Sequence, residues 1–242
     1  LARVAPLLKR FRQSVLAAAT SGRLTEDWRK SNQVSLVQAT SDLRSIEEDR
    51  LRVVKRSKAA VERIKSEEFD IPSTWVWTSL DALTAKIVDG THHTPSYVEQ
   101  GIPFISVKDI RGGTIDFSNT KFITEQEHAE LSKRCFVERG DLLITKSGTI
   151  GRTAIVSTAA SFSLFVSVAL IKPASKYVNM KFIDLALQHW VGSIDVSSRI
   201  VGSTIKNLHL VDMKVLGIPF PSLKEQTEIV RRVETLFAFA DR

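Results

Sequence analysis

Apolar residues recur every three or four positions along the first 70 residues, which is the spacing of an amphipathic helix. The first such face consists of Leu8, Phe11, Val15 and Ala18. Ser21-Gly22 follows it and supplies the glycine that commonly ends a helix. A second run continues from Asn32 to Glu68 without proline or glycine. The pattern therefore predicts two helices joined by a polar bridge.

The second predicted helix carries its apolar residues at heptad spacing. One line is Ala39, Ile46, Val53 and Ala60, and the other is Leu36, Leu43 and Ile64. Arg50 and Ser57 interrupt the second line. Heptads are typical of coiled coils, but an interrupted seam also fits an amphipathic helix lying on its own domain. Both interpretations stay open.

The pattern changes between Ile71 and Pro221 to short apolar runs separated by Gly, Pro, Asn or Asp, which favours strands. The strand candidates are Trp75 to Trp77, Pro103 to Val107, Cys135 to Val137, Leu142 to Thr145, Thr153 to Val156 and Leu164 to Ile171. Pro219-Phe220-Pro221 is not expected to continue a strand, because proline lacks the N–H that a ladder needs.

Three helices are predicted among these strands. Thr124 to Glu127 is a capping box opening a helix towards Leu131, Asn179 caps another, and a short third helix lies between Ile205 and Met213. A further capping box, Ser222 to Glu225, opens a C-terminal helix. The apolar seam of that helix is Leu223, Gln226, Val230, Val233, Phe237 and Ala240.

These elements together predict an α+β fold. A small mixed-sheet domain at residues 71–221 is flanked by long coiled-coil-type α-helices at 1–70 and 222–242. A domain of about 150 residues is of ordinary size.

Composition changes this picture only slightly. The net charge is +7, and residues 1–70 contribute 15 Lys/Arg against 10 Asp/Glu. A basic chain attracts phosphate backbones, but a solvated helix face gives a similar count. No membrane span or signal peptide is expected, because no apolar run of about 18 residues exists and Arg3, Lys9, Arg10 and Arg12 punctuate the beginning. A single cysteine, Cys135, fits a reducing cytoplasm.

The residues form no recognisable catalytic constellation. Lys146 to Gly151 has the letters of a phosphate-binding loop in the wrong order, and no Gly-x-Gly-x-x-Gly or Asn-Pro-Pro-Tyr occurs. His92 and His93 are adjacent and would point to opposite faces of a strand, which makes them a poor metal pair. We therefore expect no enzymatic activity, no metal and no cofactor in this chain.

Five segments, in chain order, are similar to motifs of the target recognition domain in type I restriction-modification specificity subunits. They are Asp89 to Pro95 (DGTHHTP), Gly101 to Ile110 (GIPFISVKDI), Gly140 to Gly151 (GDLLITKSGTIG), Gly202 to Leu208 (GSTIKNL) and Ile218 to Gln226 (IPFPSLKEQ). Each segment alone is weak, but five in order over about 140 residues are specific. Leu7 to Thr25 and the C-terminal helix resemble the end and the beginning of spacer helices.

The resemblance implies a non-catalytic subunit that recognises double-stranded DNA. Whole subunits of this family carry two recognition domains joined by antiparallel helices, so most of a second half is expected outside this sequence. Such geometry would impose a bipartite target site. Methyltransferase (modification) subunits and, indirectly, restriction or motor subunits would supply the chemistry, with S-adenosylmethionine and ATP. The apolar seams predict self-pairing through the spacer helices. The resemblance does not require the charged helix at Val34 to Lys65.

Loops rich in glycine, hydroxyl groups and cations are the candidate DNA contacts. Phosphate contacts position a protein on DNA, and Arg, Lys, His and hydroxyl side chains read base edges. A solvent-facing turn is the alternative for each loop. The candidate residues are Thr91, His92, His93, Thr94, Lys108, Arg111, Lys146, Ser147, Thr149, Arg152, Arg199, Ser203, Thr204 and Lys206.

Two other functions stay open at this point. The chain could be the recognition fragment of a single-chain restriction-methylation enzyme, which a longer native chain bearing Asn-Pro-Pro-Tyr would establish. It could also be a helical scaffold that does not bind DNA. Binding through phosphates weakens steeply with salt, and a scaffold predicts no such behaviour.

Overall fold

The computed structural model describes residues 4–54, 60, 69–193 and 208–241. Its helices are α1 (Val4–Thr20), α2 (Glu26–Ser31), α3 (Leu36–Val53), α4 (Glu125–Arg134), α5 (Met180–Ser193), α6 (Leu210–Lys214) and α7 (Leu223–Ala240). Its strands are β1 (Val76–Ser79), β2 (Thr84–Asp89), β3 (Ile102–Ile105), β4 (Ile110–Arg111), β5 (Thr114–Ile115), β6 (Lys121–Ile123), β7 (Leu142–Thr145), β8 (Thr153–Ile155), β9 (Ser163–Leu164), β10 (Val168–Pro173) and β11 (Gly217–Phe220). The predicted α+β class is confirmed.

The chain divides into two compact units. The sheet unit comprises residues 84–173 and 208–214, and the helical unit comprises the described residues of 4–83, 174–193 and 215–241. The predicted domain boundaries lie after residues 70 and 221. The sheet unit is shorter than the predicted domain, because residues 71–83, 174–193 and 215–221 pack in the helical unit. The recognition domain as a functional segment at 71–221 stays a prediction.

Three small sheets build the sheet unit. Strands β2-β10-β7-β8 form an antiparallel sheet, β6-β3-β9 form a mixed sheet in which β3 and β9 are parallel, and β4-β5 is a hairpin. Strand β7 is buried along its whole length, and β10 is buried over its first four residues. Leu143, Leu170, Ile105 and Leu164 meet in one apolar core. This core holds fixed the strand ends from which the loops leave.

Helices α1, α5 and α7 pack together in the helical unit. Arg12 contacts Phe237 and Asp241, whereas Arg232 contacts Leu24, so α1 and α7 run antiparallel. Their buried faces centre on Val15, Leu16 and Ala19 in α1 and on Gln226, Ile229, Val230 and Val233 in α7. Both helices were predicted, and the left-handed Gly22 (φ 76°) that follows α1 is where the sequence placed the end.

The predicted helix from Asn32 to Glu68 is not continuous, since α3 ends at Val53; residues 55–59 and 61–68 lie outside the described part of the chain, and the prediction there stays untested. Ala39 and Ile46 are buried, but Val53, the next position on their heptad line, is 63% exposed. Helices are held mainly by the packing of an apolar face, and this face lacks that support near Val53. The α3 helix instead lies on its own unit, where Asp42 accepts a hydrogen bond from Leu223 N at 2.8 Å.

Two strand predictions are wrong. Cys135 to Val137 is not a strand, because α4 extends to Arg134 and Cys135 caps it by donating its N–H to Leu131 O at 3.0 Å. The run from Leu164 to Ile171 is two strands, β9 and β10, with a turn between them. Strand β7 begins and ends where the sequence predicted.

The expectation for Pro219 is also wrong, since Pro219 lies within β11 and pairs with Trp77 of β1. Leu80 N donates to Leu216 O at 2.9 Å in the same ladder. Because hydrogen-bonded and non-bonded pairs alternate in an antiparallel ladder, Pro219 occupies a non-bonded position. Its missing N–H is therefore not needed for the pairing with β1.

None of the described helices is long and apolar enough to cross a membrane.

Candidate nucleic-acid interface

Three loops of the sheet unit carry the candidate residues that the structure describes. They are the β2 loop (residues 89–94), the β4 loop (residues 106–114) and the β7–β8 loop (residues 146–152). We refer to them together as the loop cluster. The remaining candidates, Arg199, Ser203, Thr204 and Lys206, lie outside the described residues.

The β2 loop is tied to strand β9 and the turn after it. Thr91 N donates to Leu164 O at 2.9 Å, and Val166 N donates to Thr91 O at 2.9 Å. The backbones approach so closely that a Cβ on Gly90 would stand 2.0 Å from Leu164 O. Glycine is therefore required before Thr91, and the loop leaves the sheet in a fixed direction.

A buried threonine organises the β7–β8 loop. The Thr145 hydroxyl donates to Thr149 O at 2.5 Å and accepts from Arg152 N at 2.9 Å, and Gly151 N donates to Thr145 O at 2.8 Å. Gly148 and Gly151 have left-handed φ angles of 74° and 84°. The loop is thus a tight, glycine-dependent turn, and the hydroxyl of Thr145 holds its two ends together.

Asp109 plays the corresponding part in the β4 loop. Its buried carboxylate accepts hydrogen bonds from Ser106 N at 2.8 Å and from Ser106 Oγ at 2.9 Å. Gly112 and Gly113 make the turn that joins β4 to β5. Lys108 and Arg111, which flank this turn, are exposed. The sequence singled out these two cations as candidate DNA contacts, whereas it placed the carboxylate below them only within the second motif.

The structure brings the three loops together. Ser167 joins two of them, since Val107 N donates to its hydroxyl at 3.1 Å and Lys146 N donates to its carbonyl at 2.9 Å. Lys146 Nζ also reaches Asp89 Oδ2 at 2.9 Å in the β2 loop. Candidates separated by up to 61 residues in sequence therefore form one surface of the sheet unit.

The candidates differ in exposure. His92, His93, Thr94, Lys108, Arg111, Thr149 and Arg152 are exposed, and Ser147 is half-buried. Thr91 is buried, and its hydroxyl is 2.7 Å from His93 Nδ1. The Lys146 side chain is 13% exposed. Thr91 and Lys146 are therefore held within the protein, whereas the others reach solvent.

The three exposed cations of the loop cluster form their hydrogen bonds with backbone oxygens. Lys108 Nζ donates to Asn119 O at 3.2 Å, Arg111 Nε donates to Lys108 O at 2.8 Å, and the Arg152 guanidinium lies 3.5 Å from Ile110 O. These partners are neutral carbonyls, and no salt bridge with a described residue involves the three cations. Exposed cations without a salt bridge are suited to contacts with phosphate groups or with guanine edges.

Residues of α4 complete the site, and the sequence did not reveal them. His93 Nε2 lies 2.9 Å from Glu127 Oε1, and Arg134 binds Asp89 and the carbonyl of Gly90. A cleft of about 430 Å³ separates α4 from the β2 loop, with Leu131 and Leu164 among its lining residues. Glu127 had been assigned to a capping box, and no local pattern connects Arg134 with a strand end 45 residues earlier.

Cys135 lies at the edge of the same cleft but is buried. Burial raises the pKa of its thiol to about 11, so the thiolate that a reactive cysteine needs is scarce at neutral pH. Among the described residues, no three His, Cys, Asp or Glu side chains are grouped to hold a metal ion.

Residues 93–241 match a family model described as "Type I restriction modification DNA specificity domain". The chain is 32% identical to the EcoBI specificity subunit of Escherichia coli over 248 residues, covering 100% of this chain and 46% of that protein. It is 26% identical to the EcoKI specificity subunit of Escherichia coli strain K12, covering 97% of this chain and 44% of that protein. The chain thus spans about half the length of the curated relatives it matches.

Solved structures agree in fold. The HsdS subunit from Thermoanaerobacter tengcongensis aligns with a TM-score of 0.52 at 15% identity, over 96% of this chain and 52% of that chain. A chain from a study of complex assembly and conformational transition of the type I R-M system aligns with a TM-score of 0.58 at 19% identity, over 93% of this chain and 51% of that chain.

Proposed function

This chain belongs to the family of type I restriction modification DNA specificity domains, and we propose that its loop cluster reads one part of a bipartite DNA target. The observation that carries the proposal is the meeting of three loops, from distant parts of the chain, on one surface with exposed cations. Recognition needs such a combination, because positioning contacts and base contacts have to act at once.

The loops divide these tasks in the proposal. Arg111 and Lys108 stand beside the Gly112-Gly113 turn, which has no side-chain bulk to obstruct an approach to a groove. Arg152 and Thr149 contact the phosphate backbone from the β7–β8 loop. His92, His93 and Thr94 contribute donors from the β2 loop, and Arg199, Ser203, Thr204 and Lys206 remain candidates from their sequence alone.

The helical unit serves a different task in the proposal. Antiparallel α1 and α7 are the connection to a second recognition segment, and their fixed geometry sets the gap between the two parts of the target. Methyltransferase subunits and, through them, restriction or motor subunits carry out catalysis, so this chain itself is not an enzyme. The relatives named above are specificity subunits, which supports this division. The proposal places the complex with DNA in the cytoplasm.

Selection from a randomised DNA pool tests the proposal. The chain, together with its methyltransferase partner, is mixed with the pool at moderate and at high salt, and retained DNA is sequenced. We expect enrichment of a short motif, with binding that weakens steeply as salt rises. Absence of enrichment and of binding even at low salt would favour the helical scaffold.

Two matched variants assign the binding to the loop cluster. Arg111→Gln removes one exposed cation from the cluster and should lower the slope of log affinity against log salt by about 0.9, the value for one phosphate contact, or relax the motif at one position. Lys181→Gln removes an exposed cation from α5, paired with Glu234, and should change neither. Equal effects of the two variants would show that binding is not located at the loop cluster.

A further inference from the structure

Asp89 lies at the centre of the loop cluster, although the sequence placed it only at the start of the first motif and not among the candidate DNA contacts. It is the last residue of β2, and its side chain is 5% exposed. Oδ1 accepts a hydrogen bond from Arg134 Nη2 at 2.5 Å. Oδ2 lies 2.9 Å from Lys146 Nζ and 3.3 Å from His92 Nε2. One nearly buried carboxylate thus contacts three basic side chains.

The three partners come from three different elements of the sheet unit. Arg134 ends α4, Lys146 follows β7, and His92 belongs to the β2 loop itself. Arg134 also donates from Nη1 to Gly90 O at 3.0 Å. The Asp89 carboxylate therefore links the side chains of α4, the β2 loop and the β7–β8 loop at one point.

Asp89 remains ionised at neutral pH. Burial by itself would raise the pKa of this carboxyl group, but the hydrogen bonds from Lys146 and Arg134 outweigh burial and hold the pKa below its ordinary value. The charge of Lys146, whose side chain is 13% exposed, is thereby matched inside the protein. A neutral group at position 89 would leave Lys146 and Arg134 facing each other without an anion.

We infer that Asp89 is a positioning residue for DNA recognition, which orients Lys146, Arg134 and His92 and keeps the two permanent cations from binding phosphates of any sequence. The inference rests on the proposed function and adds a source of selectivity to it. Freely moving cations bind every DNA equally through counterion release, whereas fixed donors favour one arrangement of base edges. Holding the cations therefore lowers non-specific affinity and sharpens discrimination.

The test is Asp89→Asn in the full chain with its methyltransferase partner. Binding is measured over a range of salt to two duplexes, one carrying the motif enriched from the random pool and one with that motif scrambled. We expect the ratio of specific to non-specific affinity to fall about tenfold or more, a loss the size of one mismatched base pair. Non-specific affinity should rise, with a salt slope steeper by about 1 to 2 because one or two cations are released.

Glu138→Gln is the matched control, since it makes the same change in net charge within the sheet unit. Glu138 is 60% exposed and pairs with Lys172, which retains Asp141 as a partner. Glu138 precedes β7 and Lys146 follows it, so the control lies at the opposite end of that strand. Its affinity ratio and salt slope should equal those of the wild type.

A second variant covers the case in which Asp89→Asn does not fold. Arg134→Gln alters a side chain that is 51% exposed, and we expect it to reduce discrimination without steepening the salt slope.

The outcomes are distinguishable. Wild-type protein that enriches no motif would overturn the proposed function itself. If the wild type is selective and Asp89→Asn is equally selective, only the positioning role is overturned. Where Asp89→Asn does not fold, an equally selective Arg134→Gln has the same meaning. An Asp89→Asn protein that loses affinity for both duplexes equally, with an unchanged salt slope, would show a merely structural residue and would also overturn it.

Discussion

Glu225 shows at the scale of a single residue how a recognisable motif serves the fold. The sequence suggested a capping box with Ser222, but Ser222 makes no side-chain cap and Glu225 turns away from it. Its fully buried carboxylate accepts hydrogen bonds from Thr25 Oγ1 at 2.7 Å, Arg29 Nη1 at 2.6 Å and Trp75 Nε1 at 2.9 Å. One side chain thus joins the turn after α1, helix α2 and the segment before β1.

Glu225→Ala should lower the free energy of unfolding of the helical unit by about 3–5 kcal/mol, because it leaves Arg29 with little solvent and no carboxylate. Urea unfolding followed by tryptophan fluorescence measures this loss, since all four tryptophans belong to the helical unit. Glu234→Ala is the control. Glu234 is 57% exposed and pairs only at the surface with Lys181, so about 0–1 kcal/mol is expected. Equal losses would contradict the role given to Glu225.

At the scale of elements, a group of charged side chains connects α7 to α2 within the helical unit. Arg232 of α7 bonds both Asp27 carboxylate oxygens, at 2.7 and 3.0 Å, and Glu228 Oε1 at 2.6 Å. The hydrogen bond from Arg231 lowers the pKa of Glu228 to about 2 against the opposing effect of burial, and Arg232 adds to the lowering. Hydrogen bonding from Arg232 likewise lowers the pKa of Asp27 to about 2. The ions hold α7 against α2.

This ion group predicts acid sensitivity. In the unfolded chain Glu228 takes up its proton near its ordinary pKa of 4.5, whereas in the folded chain it does so only near 2. Its stabilising contribution is therefore complete above about pH 4.5 and is lost as the pH falls towards 2. Unfolding midpoints in urea should decrease across this window, and less steeply in Glu228→Gln than in the wild type or in Glu234→Gln. Parallel curves for all three proteins would contradict the prediction.

At the scale of the whole molecule, the antiparallel pairing of α1 and α7 gathers apolar side chains at one end of the helical unit. Val4, Leu7 and Phe11 in α1 are 50%, 62% and 38% exposed, and Phe239 in α7 is 66% exposed. Grouped apolar exposure of this kind is typical of a surface that pairs with another chain. This surface is therefore the one at which we expect the self-pairing that the apolar seams predict.

We expect the protein to self-associate through this surface, and the double variant Leu7→Asp with Phe239→Asp to shift it towards monomer because burial of the new charges is costly. Sedimentation velocity over a range of concentrations measures the shift. Val211→Asp, at a 71% exposed position of α6 in the sheet unit, is the control and should associate like the wild type. A wild type that is monomeric at high concentration would refute the prediction.

Local patterns by themselves determined much of this protein. Helical spacing and the glycine at position 22 predicted α1, and a short apolar run bounded by turn residues predicted β7. Thr124 and Asn179, the predicted caps, accept hydrogen bonds from N–H groups in the first turns of α4 and α5. The five motifs predicted the family. These features depend on residues close in sequence, where side-chain periodicity and capping act directly.

Only the tertiary structure decided which polar groups meet. It placed Pro219 in a strand through its register with β1, directed Glu225 away from its expected cap, and joined Asp89 to Arg134 and Lys146. The partners in these contacts are 45 to 200 residues apart, so no local pattern encodes them. Buried polar groups must find partners wherever the fold supplies them, and that requirement fixed the geometry of the loop cluster.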